Sequence, residues 1–108
     1  MAYSEELAVR VRAIVGDDGI TERKMMGGLC LMRHGNMVCG VMGENLMVRL
    51  GPELAGEALE EPHTRLMDFS GKPVTSMLYV EPAGTADDAS LRAWIRRAED
   101  FVATLPPK

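Results

Sequence analysis

Apolar positions along the chain change period several times, and each change marks an element. Leu7, Val11, Ile14 and Val15 recur at i, i+4, i+7 and i+8 behind Ser4, a residue suited to cap a helix, which predicts an amphipathic first helix. Gly16-Asp17-Asp18-Gly19 stops it. Thr21–Met26 mixes charged and uncharged residues as a short, partly exposed strand does, and Gly27-Gly28 then breaks the run as a bend or bulge. From Leu29 to Leu50 the charges are Arg33, Glu44 and Arg49 alone, and small-residue clusters at His34-Gly35 and Gly43-Glu44-Asn45 fall at hairpin spacing. Three consecutive antiparallel strands are predicted there: Leu29–Arg33, Asn36–Met42 and Asn45–Leu50.

Gly51-Pro52-Glu53 opens a short helix with Pro52 at its first position, and Pro62 closes it after Leu54, Ala55, Ala58 and Leu59. Arg65–Phe69 and Ser76–Val80 are two further strands, joined through the turn Ser70-Gly71-Lys72-Pro73. Thr85 or Asp87 caps a long last helix in which Leu91, Trp94, Ile95, Ala98, Phe101, Val102 and Leu105 keep helical spacing until Pro106-Pro107. The order is α-β-β-β-β-α-β-β-α, with connections too short for parallel crossovers. The expected fold is therefore α+β: a two-layer α/β domain whose single, mainly antiparallel sheet is packed by the N- and C-terminal helices.

Composition narrows the class without naming an activity. At 108 residues, 46% hydrophobic and 26% charged, the chain holds one core, so residues 1–108 are expected to form a single domain. Twelve Lys and Arg against sixteen Asp and Glu leave a net charge of −4, which argues against direct nucleic-acid binding. No apolar run approaches the ~18 residues of a membrane span. The first ten residues carry Glu5 and Glu6 rather than a basic leader, so a cytoplasmic protein without membrane contact is expected. Cys30 and Cys39 are too few for a disulfide framework and match no zinc spacing, and no cofactor is expected.

Taken in order, Lys24-Met25-Met26-Gly27-Gly28-Leu29, Gly35-Asn36-Met37 with Cys39-Gly40-Val41, Val48-Arg49-Leu50-Gly51-Pro52, Met67-Asp68-Phe69-Ser70-Gly71-Lys72-Pro73 and Leu91-Arg92-Ala93-Trp94 span nearly the whole chain. In these blocks the chain resembles the N-terminal domain of the TfoX/Sxy family, bacterial regulators associated with competence for DNA uptake. It departs from the family at Met26, where Phe is typical, and at Val74-Thr75, where a Met-plus-basic pair is typical. The resemblance implies a two-layer α/β fold and dimerisation, and implies no catalytic residue. It also implies a stand-alone domain, since full-length relatives add a C-terminal helical domain.

The central ribbon carries the candidate chemistry. A two-residue loop at His34-Gly35 sets Arg33 opposite Asn36, Met32 opposite Met37 and Cys30 opposite Cys39, which would gather four sulfur side chains on one face. That face reads as the sheet's core side, with Cys and Met as packing; as a redox thiol pair; or as a soft-metal site for Cu(I) using Cys30, Cys39, Met32 and Met37. If the sulfurs point inward, Leu29, Leu31 and Val38 turn outward and make an apolar interface, with Arg49 and Lys72 as polar contacts. A twofold homodimer and an unidentified protein partner are expected on that surface. His34 and His63 read as solvated loop residues, and Arg92, Arg96 and Arg97 as a solvated basic strip with some capacity for docking. A Gly-rich cofactor loop is missing from the sequence. The expected function is that of a non-enzymatic regulatory module acting through dimerisation and protein binding, in competence or another regulatory pathway. The alternative is a small cytosolic redox or Cu(I)-binding protein using Cys30 and Cys39.

Overall fold

In the first helix, α1 (Glu5–Val15), the Ser4 hydroxyl accepts from the Leu7 N–H at 3.2 Å, and Gly16, at φ +76°, closes the last turn through its N–H to the Arg12 carbonyl. Leu7, Ala8, Val11 and Val15 form its buried stripe. The computed structural model describes residues 3–25, 27–69 and 72–106, with the backbone alone at 68, 69 and 72–74. The strands are β1 (Ile20–Met25), β2 (Gly28–Arg33), β3 (Asn36–Met42), β4 (Asn45–Arg49), β5 (Thr64–Phe69) and β6 (Lys72–Val80). The short helix α2 (Pro52–Ala58) falls between β4 and β5. A 3₁₀ turn (Pro82–Gly84) precedes α3 (Asp88–Val102), whose N-cap is Asp87. Among the described residues, no helix is long and apolar enough to cross a membrane.

All six strands join one sheet in the order β1-β2-β3-β4-β6-β5, and every neighbouring pair is antiparallel. The α+β fold and its element order match the expectation from the sequence. Three details differ. Gly27-Gly28 is part of the β1–β2 hairpin turn, since Met25 pairs with Gly28 and Gly27 sits at φ +80°. β6 starts at Lys72 rather than Ser76, and Leu105 lies beyond the end of α3.

The ribbon register is where the sequence reading fails. The tip behaves as expected: His34 (φ +50°) and Gly35 (φ +86°) form a turn with two positive φ angles, and Arg33 pairs with Asn36 and Met32 with Met37. Beyond Met32 the register shifts, so that Leu31 pairs with Cys39 and Cys30 with Gly40, leaving Val38 as the extra residue of a β-bulge. One added residue inverts the facing of every position past it. The added residue in β3 brings Cys39 and Val41 to the side of Val38, while β2 keeps its alternation; that side, shared by Leu29 and Leu31, is the one the helices cover, and Cys30 and Met32 lie on the other.

The expected interface on Leu29, Leu31 and Val38 is therefore corrected: these side chains are at most 1% exposed and form the floor of the helix-packed core. The shift has a packing reason. Strict alternation would scatter the branched aliphatics over both faces, whereas the bulge gathers them with Val11 of α1 and with Leu91, Ile95 and Val102 of α3. Arg33 also ends on this side. Its guanidinium grips the Glu99 carboxylate through two bonds of 2.7 and 2.6 Å and donates to the carbonyls of Val15 and Asp18, tying β2 to both long helices. Asn36, 3% exposed, donates to the Pro106 carbonyl at 2.9 Å and anchors the chain beyond α3.

Candidate functional site

Sulfur is distributed unevenly between the two faces. Of the chain's nine methionines, Met1 and Met26 fall outside the described residues. The other seven lie on the face turned away from the helices: Met32, Met37, Met42, Met47, Met67 and Met77 within one cluster, and Met25 by its pairing with Gly28 at the sheet edge. The helix-packed core contains no methionine among the described residues.

At the centre of the methionine face Cys30, Met47, Met67 and Met77 are 0, 1, 2 and 8% exposed, although strands alone supply them. Half-buried Met32, Met37, Met42 and Tyr79 surround them. The long unbranched side chains supply this cover, helped by the bulges in β3 and at Leu66/Met67 that increase sheet twist. Gly40 sits in the middle. It pairs with Cys30 on one side and Met47 on the other, and a Cβ there would collide with the Leu29 carbonyl and lie 2.7 Å from the Met47 Cε. The missing side chain leaves the notch that Met47 fills beside Cys30. At the rim, the Arg65 guanidinium lies 5.5 Å from the Tyr79 ring centroid and pairs with Glu81 at 3.4 Å. Burial raises the Tyr79 pKa, with Arg65 acting in the opposite direction.

The two cysteines are free and buried on opposite faces, so the redox pair and the Cys30–Cys39 metal site expected from a shared face do not form. Burial pushes the Cys39 thiol up to about 12, with the Glu99 charge adding to the effect. The Cys30 thiol is raised by burial as well. Both stay protonated near neutral pH, the form in which a thiol is a poor nucleophile.

The remaining candidates do not converge. Arg49 is half-buried, with its guanidinium 5.7 Å from the Phe101 ring centroid and a long contact of 3.5 Å to the Met37 carbonyl. Lys72 opens β6 and its side chain lies outside the described residues. His34 and His63 are exposed, both at positive φ, on separate turns. In the α3 strip, Arg97 stacks at 4.2 Å on Trp94 and grips Glu61 through two bonds, while Arg92 and Arg96 are exposed. In a cleft of about 610 Å³ beside the hairpin tip, lined by Asp18, Arg33, His34 and Glu99 among others, the Arg33 guanidinium is held by Glu99 and by backbone carbonyls.

The family model of the TfoX N-terminal domain matches residues 14–102, most of the chain. The chain belongs to the TfoX N-terminal domain family. The matched span runs from the end of α1 to the end of α3, so this TfoX N-terminal domain includes both sheet faces and the whole methionine cluster. Comparison with curated proteins and with solved structures gives no match.

The sequence reading placed Met32 and Met37 together correctly but missed Met42, Met47, Met67 and Met77 as their neighbours. A signal was present. Gly40 within an otherwise apolar strand is the kind of residue that marks a bulge or a close approach, and a bulge there reconciles the aliphatic positions with one face.

Proposed function

We propose that this TfoX N-terminal domain is a non-catalytic regulatory module that works by association, with a second copy of itself and with another protein, in the control of competence or of another regulatory pathway. The observation that carries this reading is the methionine face. It is an apolar sheet surface with no helix over it among the described residues, in a domain of a regulator family. Thioether side chains re-pack around differently shaped partners at little cost, which suits them to contact surfaces. The contact residues are the accessible ones: Met25 at the edge, then Met32, Met37, Met42 and Tyr79. Flanking Arg23, which faces the same way by its pairing with Cys30, and Arg65 supply polar contacts at the rim. A cytoplasmic location fits this role.

Sedimentation equilibrium over the micromolar range tests the self-association. A concentration-dependent dimer is expected for the natural chain, and a folded monomer for Met32→Lys with Met37→Glu. A natural chain that stays monomeric throughout, or a dimer insensitive to both changes, overturns the assignment of this face to dimerisation.

A further inference from the structure

We propose that the accessible thioethers of the methionine face, Met25, Met32, Met37 and Met42, form a reversible oxidation site for hydroperoxides, and that their conversion to sulfoxides releases the second copy while the fold persists. The site follows from placement and residue type; the release rests on the association reading. In the reaction the thioether sulfur attacks one peroxide oxygen, the O–O bond breaks and an S=O bond forms. Sulfur gives up two electrons to the peroxide, so hydrogen peroxide and one thioether become one water and one sulfoxide.

Burial sorts the sulfur atoms into those a peroxide reaches and those it does not. Along the central ribbon the accessible thioethers stand at both ends: Met32 opposite Met37 next to the hairpin tip, and Met25 and Met42 on either side of Gly28 at the other end. The Met42 sulfur lies 3.3 Å from the point where a Gly28 Cβ would stand, so this thioether rests on a strand that gives it no side chain to hide behind. Between the two ends Cys30 and Met47 meet at Gly40 with 0 and 1% exposure. The thiols, elsewhere the first groups to react, are both buried, and burial raises both of their pKa values. The helix-packed core has no methionine among the described residues and is spared.

A sulfoxide oxygen is a polar acceptor that costs free energy when it is taken out of water unpaired. In the single chain the half-exposed ends of the ribbon let it reach solvent, so folding tolerates it. Beneath a second copy it is pressed against apolar surface, so association does not. The test treats the full chain with increasing hydrogen peroxide, quenches it and divides it between peptide mapping by mass spectrometry, circular dichroism and sedimentation equilibrium. Sulfoxide is expected at Met25, Met32, Met37 and Met42 about ten-fold faster than at Met47, Met67 and Met77, with both thiols still titratable after denaturation. The circular dichroism should stay unchanged while dimerisation weakens about ten-fold, and the methionine sulfoxide reductases for the two epimers, with a dithiol, should restore it. The combined variant Met25→Leu, Met32→Leu, Met37→Leu and Met42→Leu, which conserves volume, should dimerise equally with and without peroxide.

Equal oxidation of the accessible and buried methionines, or loss of the thiols before the thioethers react, overturns the site. A dimer untouched by complete oxidation of the four, a dimer lost only together with the fold, or a folded variant that still responds to peroxide overturns the release. If the variant does not fold, the peptide map and sedimentation of the natural chain decide alone. A natural chain that is monomeric before any peroxide is added overturns the association reading and the release with it, and the peptide map then decides the site by itself.

Discussion

The two faces of the sheet are both dry at their centres and are built from different chemistry. On the helix side, branched and compact residues such as Leu31, Val41, Val48 and Leu78 meet α1, α2 and α3 with 0% exposure. On the other side, sulfur-bearing chains reach nearly the same burial with no helix over them among the described residues. Rigid rotamers suit a face that must accept a fixed partner layer, because β-branched and leucine side chains interlock with helix ridges in few arrangements. Flexible thioethers suit a face whose only cover is its own side chains and whatever binds there. The helix-packed face and the methionine face of this domain are thus separated by the thickness of a single β-sheet.

That contrast predicts graded responses to substitution. The largest is expected at Leu31→Ala, which opens a cavity in the helix-packed core and should cost about 3 kcal/mol in chemical denaturation. A cost below about 1 kcal/mol there would mean that the helix layer is as adaptable as the methionines and would erase the distinction. Gly40→Ala probes the join between the faces, since the added methyl meets both the Leu29 carbonyl and Met47; a loss of about 2 kcal/mol is expected. Met47→Leu, conserving volume on the adaptable face, should cost less than about 1.5 kcal/mol by the same measurement.

The smallest effect concerns the helix layer's attachment and depends on pH. Asp87 accepts from the Ser90 N–H at 2.9 Å and from the Ser90 hydroxyl at 2.8 Å, and these bonds hold its carboxyl below the usual carboxylate range. Glu22 is likewise lowered, first by its hydrogen bonds from Arg12. A depressed folded-state pKa means that the unfolded chain takes up protons first on acidification. The stabilisation is complete above the ordinary carboxylate pKa and is lost as pH falls through the lowered folded values. Thermal unfolding should therefore show a melting temperature that drops below about pH 4. Asp87→Asn should lessen that drop while keeping most of the cap. An identical acid profile in the variant would show that the cap does not contribute to it.

Legibility tracked the range of the physics involved. The Ser4 and Asp87 caps, Pro52 at the start of α2 and the His34-Gly35 turn each depend on a few consecutive residues, and the expected elements appear at nearly the expected bounds. The arginine strip was only half legible: Arg97 has the helical neighbour Trp94, but its carboxylate comes from Glu61, brought close by folding. The same holds for Arg33, which reads as a strand-end charge and becomes the tie between β2, α1 and α3. The methionine cluster was least legible, because β2, β3, β4, β5 and β6 all contribute to it and no pair beyond the hairpin tip could be placed by counting.

The chain's own order of residues settled which segments are helix or strand, how the tight turns close and that one antiparallel sheet results, because capping, chirality and periodicity act within a few residues. Folding alone decided which side of that sheet each central residue occupies. A bulge at Val38 costs a local break in the ladder and is offset only when Leu29, Leu31 and Val41 meet the distant helices together. The register, and with it the sulfur-lined face, was thus set by packing between segments more than fifty residues apart, as in the core that Leu31 of β2 shares with Leu91 of α3 and in the Arg33–Glu99 pair.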